Sequence, residues 1–313
     1  MNWKKMNWRK ACYALIVLLF IIACGCAGYL FQSKISANNK NMASSSDDTN
    51  FSPPSDLSNP VSSSVPSNNK VSVKQDEFKK ITDSLDGIFG KITKNYSVGI
   101  KLYSTGEQYV SDSKQMPSAS VIKVFIMLHA YRMIENGEIK ENVMIQNQSL
   151  NELLKSMITK SDNNATNILI NFFGMDRINE TIRKEGYNNT VLQRLMLDYD
   201  AQKQGLENYT SISDVMLFLD RVYQNKEKSP YKEMLDLLLQ QQVKTKIPSM
   251  LPKGTKVANK TGELQGIEND IGIVFSKNGD YAIAALVNQV LNVENTRQAI
   301  GTLSKNVYDY LNH

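Results

Sequence analysis

The sequence predicts an α+β fold, an α/β sandwich in which an antiparallel five-stranded sheet packs against a helical subdomain. Two strand-like segments lie near the start of the region 74–313, and three more lie near its end. The long stretch between them is mainly helical in pattern. Strands at both ends of a helical middle favour a single sheet assembled from the two ends of one domain.

The first 35 residues predict a membrane tether. Four basic residues lie within the first ten positions, an uncharged apolar run covers residues 11–30, and Lys34 follows. Twenty helical residues are about 30 Å long, which matches the hydrocarbon thickness of a bilayer. Because the basic cluster precedes the run, the rest of the chain is expected outside the cytoplasm.

The same segment also permits a lipid anchor. Ile21-Ile22-Ala23-Cys24 resembles a lipobox, in which Cys24 would be lipidated after cleavage. The apolar run continues to Phe31, which favours an uncleaved span and membrane contact through residues 11–31. Either alternative predicts a domain that is held at the cell membrane and lies outside the cell.

Residues 36–73 predict a disordered stalk. This segment is rich in Ser, Asn, Pro and Asp and has hardly any large apolar residues. Such a composition cannot build a hydrophobic core. The folded domain is therefore expected to cover residues 74–313.

Apolar periodicity predicts the first elements of this domain. Residues 74–94 carry an amphipathic helical pattern. YSVGIKLYS from Tyr96 and EQYVSDS from Glu107 alternate as strands do, with Thr105-Gly106 between them. These two segments predict a β-hairpin.

Strand patterns return at the end of the chain. KVANKTG, IGIVFSKNG and YAIAALVNQV predict three further strands, with Asn278-Gly279 as a hairpin turn. A final helix is expected at about residues 293–311. These elements supply the second half of the predicted sheet and one helix to cover it.

Composition excludes several kinds of function. The net charge is +5, and four basic residues belong to the first ten positions, which leaves 5 − 4 = +1 for the remainder. No basic stripe indicates nucleic-acid binding. All three cysteines (Cys12, Cys24 and Cys26) lie in the membrane segment, so the domain has no disulfide and no cysteine metal site.

The two histidines do not predict a catalytic triad or a metal site. His313 is the terminal residue, and His129 is expected to be a packed residue of a helix. A Ser-His-Asp triad needs a histidine beside its serine, and zinc needs several ligands of this kind. We therefore expect no metal and no cofactor, and a lysine or carboxylate as the base of any hydrolase.

The segment PSASVIKVFIMLHA, residues 117–130, places a lysine in an otherwise apolar helix. Ser120 and Lys123 are three residues apart and therefore lie on one face. Burial lowers the pKa of a lysine, so Lys123 can act as the base for the Ser120 hydroxyl. Ser-x-x-Lys recurs elsewhere in the chain, and an N-cap is the alternative role of Ser120.

Two further motifs make the chemistry more specific. Ser161-Asp162-Asn163 lies at a junction between two helical patterns, and Lys260-Thr261-Gly262 ends a strand. Together with Ser120-x-x-Lys123 and in this order, they resemble the signature of serine penicillin-binding proteins and class A β-lactamases. The resemblance covers about residues 75–313 and implies the same α+β fold.

The resemblance implies roles for the matching positions. Ser120 would be the nucleophile and Lys123 its base, while Ser161 would relay a proton to the leaving nitrogen. Asn163 would bind the substrate amide. Lys260 and Thr261 would hold a substrate carboxylate, followed by Gly262 and by Glu263, whose amide would complete an oxyanion hole with that of Ser120.

The chain also departs from this family. If Arg194 is the arginine of the family's Ω-loop, Met196 stands where class A enzymes have the glutamate that activates water. Asp198 or Asp200 could replace it or simply stabilise the loop. Glu263 follows Lys-Thr-Gly where the family has a small residue, so it could repel a substrate carboxylate, act as a displaced base, or turn to solvent. The segment between Ser120 and Ser161 is also shorter than usual, which would open the cleft.

Three functions remain open at this level. The first is a membrane-anchored class A-like serine hydrolase that is acylated by β-lactams or related amides and hydrolyses them. The second is a carboxypeptidase or endopeptidase that acts on D-Ala-D-Ala-type cell-wall peptides. The third is a penicillin-binding or wall-binding sensor without turnover. The expected partner is a β-lactam or a peptidoglycan stem peptide, and the domain is expected to be monomeric.

Overall fold

The computed structural model describes residues 77–312. The predicted tether, the predicted stalk and the first residues of the predicted domain lie outside this range. Within residues 77–312, no helix combines the length and the apolarity that a membrane crossing needs.

A five-stranded antiparallel sheet forms the centre of the fold, with strand order β2-β1-β9-β8-β7. Its strands are β1 (Tyr96–Leu102), β2 (Gln108–Val110), β7 (Lys256–Leu264), β8 (Ile267–Phe275) and β9 (Tyr281–Val287). The two ends of the domain meet where β1 pairs with β9, from Tyr96 opposite Val287 to Leu102 opposite Tyr281. The predicted sheet and both predicted hairpins are therefore confirmed.

Two short strand pairs brace the helical subdomain. Strand β3 (Met116–Pro117), which directly precedes the Ser120 segment, pairs with β6 (Tyr209–Thr210). Strand β4 (Met144–Ile145) pairs with β5 (Gln148–Ser149), which directly precedes a helix. Residues 77–83 are helical. The α-helices that follow them, in chain order, are α1 (Leu85–Phe89), α2 (Lys123–Glu135), α3 (Leu150–Thr159), α4 (Asn163–Phe173), α5 (Met175–Lys184), α6 (Tyr199–Lys203), α7 (Ile212–Gln224), α8 (Tyr231–Leu239) and α9 (Val293–Asn312).

Helical segments begin where the sequence supplies caps. Ser149 and Glu152 form a reciprocal capping box at the start of α3, and the Asp162 carboxylate caps α4 by accepting from the Ala165 amide. These side chains satisfy amides that have no partner inside the helix. The segment predicted as one helix over 74–94 is interrupted, because residues 77–83 are helical, Ser84 is a turn and α1 ends before Gly90.

The sheet is buried on both faces, which fits its strand sequences. Along β9, Ala282, Ala284 and Leu286 join the core of the helical subdomain. The alternate residues Ile283 and Val287 pack in a second core with α1 and α9. Successive strand side chains point to opposite faces, so one continuous apolar run serves both layers of the sandwich.

Candidate active site

Ser120 lies in a short turn of 3-10 helix, Ala119–Ile122, that leads directly into α2. Ala119 has a positive φ of 45°, a conformation that costs energy in a residue other than glycine. The preceding residue holds this bend, because the amide and the hydroxyl of Ser118 both donate to the carbonyl of Asn208, at 2.8 and 2.9 Å. The half-buried Ser120 is thereby presented at the mouth of a cleft.

Strand β7 lies against this turn, and Gly262 is what allows the close approach. A Cβ at position 262 would be only 2.8 Å from the Ser118 carbonyl oxygen and 3.2 Å from the Ser120 nitrogen. Asn269 of β8 reaches the same point and donates to the carbonyls of Pro117 and Ser118, at 3.0 and 3.2 Å. The sheet edge and the nucleophile turn are therefore fixed to each other.

Lys123 begins α2 and is completely buried. Its Nζ donates to the Ser161 carbonyl at 2.7 Å, to Asn163 Oδ1 at 2.8 Å and to Ser161 Oγ at 3.2 Å. Burial lowers the pKa of this amine to about 7, although the charge of nearby Asp162 opposes the change. An amine with such a pKa is partly neutral near pH 7 and can accept a proton.

The Ser161 hydroxyl lies between two amines. Lys260 Nζ donates to Ser161 Oγ at 2.9 Å and to the Thr261 carbonyl at 2.8 Å, while Lys123 approaches from the other side. Burial lowers the pKa of Lys260 well below its ordinary value, and the charge of Lys123 lowers it further. Ser161 itself has a positive φ of 58°. The arrangement is a short proton path from one amine through a hydroxyl to another.

The motif residues of the sequence thus come together. Ser120, Asn163 and Glu263 line one cavity, and the side chains of Ser161 and Lys260 are linked to Lys123 behind it. Thr261 is buried on β7 beside Lys260, and Gly262 packs on the nucleophile turn. The full lining of the cavity is Ala119, Ser120, Asn163, Arg194, Met196, Leu197, Glu207, Asn208, Glu263 and Leu264.

The loop that contains Arg194 is held by a buried ion pair. The Arg194 guanidinium bonds both carboxylate oxygens of Glu207, at 2.9 and 3.0 Å, and both side chains are buried. Asn208 closes the loop, because its Oδ1 accepts from the amides of Gln193 and Arg194. Its carbonyl is the one that holds Ser118, so the loop and the nucleophile turn share an anchor.

Met196 lines the cavity, at the position where the sequence predicts that the glutamate base of class A enzymes is absent. It is 8% exposed. Its backbone is fixed by Asn167, which donates to the Met196 carbonyl at 3.1 Å and accepts from the Met196 amide at 2.7 Å. A thioether cannot take a proton from water, so this position supplies no general base.

Neither aspartate of the loop replaces it. Asp198 caps α6 by accepting from the Ala201 amide at 3.0 Å. Asp200 is strongly exposed and pairs with Lys203 at 3.1 Å. Of the two alternatives for these residues, the structure favours loop stabilisation.

Glu263 does not simply turn to solvent. Its Oε1 is 2.8 Å from Lys246 Nζ and its Oε2 is 3.3 Å from the Arg297 guanidinium. The side chain remains 40% exposed. Burial alone would raise the pKa of Glu263, but the hydrogen bond and charge of Lys246 outweigh it and lower that pKa.

The remaining titratable candidates are structural. His129 is buried in α2, where its Nδ1 lies 2.7 Å from Thr181 Oγ1 and its ring contacts Phe173. Burial lowers the pKa of His129 to about 4, so it stays neutral. Among residues 77–312, no group of three or more His, Cys, Asp or Glu is arranged to hold a metal ion.

Several residues of the site could not be found from motifs. Asn269, Lys246 and Arg297 belong to no motif. Asn269 acts through the carbonyls of Pro117 and Ser118, and the two cations act through Glu263. Only Glu207-Asn208 stands in a sequence pattern that indicates its role. A Glu-Asn pair that follows an arginine-containing loop can pair with the arginine and hydrogen-bond the loop backbone, as these two residues do.

A comparison of sequences identifies the family that this chain matches. A sequence model of the β-lactamase enzyme family matches residues 79–311. A β-lactamase of Bacteroides uniformis is 31% identical over 176 residues, which are 51% of this chain and 60% of that relative. The aligned part therefore covers less than two thirds of the curated relative.

Solved structures share the fold. A β-lactamase from Sphaerobacter thermophilus superposes with a TM-score of 0.67 at 22% identity, over 75% of this chain and 98% of its own. PBP-A superposes with a TM-score of 0.62 at 24% identity, over 73% and 95%. A leucine-to-glutamate mutant of PBP-A was solved as an acyl-enzyme complex with penicillin G.

Proposed function

We propose that β-lactams and related amides acylate Ser120 of this chain, which belongs to the β-lactamase enzyme family and is a class A-like serine hydrolase. We propose also that the resulting acyl-enzyme breaks down slowly. The observation that carries this proposal is the pairing of an intact acylation apparatus with Met196 in the same cavity. The acylation apparatus predicts that the substrate forms an ester with Ser120, and Met196 predicts that this ester is hydrolysed slowly.

In the acylation step, the neutral amine of Lys123 takes the Ser120 proton, directly or through water. The serine oxygen forms a bond to the carbonyl carbon, and the C–N bond of the amide then breaks. The leaving nitrogen receives its proton from the Ser161 hydroxyl, which Lys260 and Lys123 flank at 2.9 and 3.2 Å. The proton that Lys123 accepted restores the Ser161 hydroxyl.

Charge on the carbonyl oxygen needs donors during this step. The amides of Ser120 and Glu263 are the proposed donors, and the contact of Gly262 with the nucleophile turn supports their proximity. Because β7 is the edge strand of the sheet, alternate amides along it have no strand partner. Loss of one such donor typically costs about 3 kcal/mol of transition-state stabilisation.

Deacylation requires a base that activates water on the ester. Met196 cannot provide it, and the two nearby aspartates are engaged at α6. The buried Glu207 carboxylate is held by Arg194. We therefore expect an acyl-enzyme that persists far longer than its formation takes.

A cell-wall peptidase is the second candidate. Its acylation would use the same residues, and PBP-A, which shares the fold, is described as a penicillin acyl-enzyme in mutant form. The predicted tether and stalk would place the domain at the outer face of the membrane, within reach of wall peptides. This location is part of the proposal and rests on residues 1–73 of the sequence.

The experiment is an intact-mass time course. The full-length chain in detergent is exposed briefly to benzylpenicillin, and the mass is followed over hours beside Ser120→Ala. A persistent adduct that Ser120→Ala lacks supports the proposal. An adduct that vanishes within seconds contradicts slow breakdown, and an adduct that Ser120→Ala retains contradicts the nucleophile.

A further inference from the structure

We propose that the Glu263 carboxylate, held by Lys246 and Arg297, occupies the place in the cleft where a substrate carboxylate would bind. We call this place the anion-binding end of the cleft. The site would therefore select amides that have no free carboxylate beside the scissile bond. The natural class of such substrates is an internal peptide bond, as in a cross-link, rather than a carboxyl-terminal residue. This inference rests on the proposed function and specifies its substrate.

The Glu263 carboxylate lies in the cavity and contacts two cations. Glu263 directly follows the Lys-Thr-Gly motif and lines the cavity with Ser120. One oxygen is 2.8 Å from Lys246 and the other is 3.3 Å from Arg297. The protein's own carboxylate thus has the two-cation contact that a bound carboxylate would seek.

The charges of the cluster around Glu263 are balanced. Lys246 and Arg297 also contact Glu268, at 2.8 and 3.0 Å. Two cations therefore face two carboxylates, and their formal charges cancel. A substrate carboxylate that enters here gains no unpaired cation from this group and meets Glu263 at close range.

Glu263 is the most exposed side chain of this cluster. Lys246 is fully buried, whereas Glu263 is 40% exposed and Arg297 is 26% exposed. The buried ammonium also donates to the Asn269 carbonyl at 3.1 Å, which leaves it no freedom to turn toward a ligand. The surface that this cluster offers to a substrate is therefore mainly the Glu263 carboxylate.

Lys260 does not supply an unpaired cation that would attract a substrate carboxylate. Its amine is directed at Ser161 Oγ and the Thr261 carbonyl, and its burial disfavours the charged form. The ionised state of Glu263 is favoured by its contact with Lys246. The anion-binding end is thus neutral or slightly negative toward a ligand.

The test compares two probes that differ by one charge. Benzylpenicillin carries a free carboxylate, and its methyl ester does not. Acylation rate constants are measured for both with the full-length chain in detergent, and the ratio of anion to ester is formed for each variant. We expect Glu263→Gln to raise this ratio roughly tenfold, as one charge at a half-exposed site would.

Two further variants sharpen the result. Arg297→Gln leaves Glu263 with one cation fewer, so it should lower the ratio severalfold. Glu138→Gln removes an equal charge from an exposed pair with Arg177, and it should leave the ratio unchanged. Opposite signs at Glu263 and Arg297, with no change at Glu138, are expected if the charge of this cluster acts on the substrate carboxylate.

The outcomes separate this inference from the proposed function. If wild type is acylated and the ratio does not rise in Glu263→Gln, the inference is wrong and the proposed function stands. Should Glu263→Gln fail to fold, a ratio that rises or stays constant in Arg297→Gln overturns the inference equally. If neither probe acylates wild type, the proposed function fails and the inference with it.

Discussion

The pH dependence of acylation tests the assignment of Lys123 most directly. Only the neutral amine can accept the Ser120 proton. Burial lowers the pKa of Lys123 to about 7, so the neutral fraction changes within the range where the fold can be studied. The acylation rate constant is therefore expected to rise with pH and to level off near pH 8.

The magnitude follows from the titration curve. With a pKa of about 7, the neutral fraction is about 0.09 at pH 6 and about 0.9 at pH 8, a tenfold increase. A lysine with the ordinary value of 10.5 would increase its neutral fraction about a hundredfold over the same interval and would continue to rise to about pH 10. The two cases differ both in slope and in the presence of a plateau.

The assay is the rate of covalent labelling by a fluorescent penicillin, measured by rapid quench from pH 5.5 to 9.5 at constant ionic strength. Lys155→Ala, at an exposed position in α3, is the matched control and should leave the profile unchanged. Lys123→Ala should reduce the rate by about a hundredfold or more, the usual contribution of a general base. A profile that climbs steadily through pH 9, or one that is flat, would refute the reasoning.

Three further changes have defined outcomes. Met196→Glu should shorten the acyl-enzyme lifetime at least tenfold by supplying a base beside the cavity, whereas the control Tyr199→Glu on exposed α6 should not. Equal lifetimes of the two variants in a mass time course would argue against the alignment of Arg194 with the Ω-loop arginine of the family. Gly262→Ala should lower the free energy of unfolding by about 1–3 kcal/mol in urea titration, because its Cβ collides with a carbonyl 2.8 Å away, and should slow acylation as well. Arg194→Gln should cost about 3–5 kcal/mol by the same measurement, because it leaves Glu207 buried without its cation; a loss below about 1 kcal/mol would contradict the buried pair.

The sheet and the motifs were predictable from the sequence because their signals are local. Alternating apolar residues identified the strands, and the turn at Asn278-Gly279 fixed the last hairpin. Ser120 and Lys123 are three residues apart on one face, so their proximity needs no tertiary information. The family resemblance rests on the order of the three motifs, and the family itself is confirmed by the sequence model that matches residues 79–311.

What could not be predicted depends on contacts between distant segments. Lys246 precedes Glu263 by 17 residues and Arg297 follows it by 34, and neither stands in a pattern that indicates a partner. The orientation of Glu263 is set by contacts with these two cations, so the sequence alone leaves open whether it repels a substrate carboxylate, acts as a displaced base or turns to solvent. The break at Ser84 was missed for a related reason, because apolar spacing continued across it.

The burial of Lys123 has a second consequence, in stability. Because its folded pKa of about 7 lies below the ordinary 10.5, the folded chain binds fewer protons between these values. Stability therefore falls as pH falls from about 10.5 to about 7, by about 5 kcal/mol at 1.4 kcal/mol per pH unit.

A variant can isolate this term from the other effects of the lysine. Lys123→Met keeps the length of the side chain and removes the titratable amine, but it leaves the Ser161 carbonyl and Asn163 Oδ1 without the lysine donor. That loss is about the same at every pH, whereas the proton term is nearly complete at pH 7 and small at pH 10. Relative to wild type, the variant should thus gain several kcal/mol more at pH 7 than at pH 10 in urea unfolding, while it loses acylation. A stability difference that is the same at both pH values would show that the lysine folds without releasing its proton, and the base would have to be sought elsewhere.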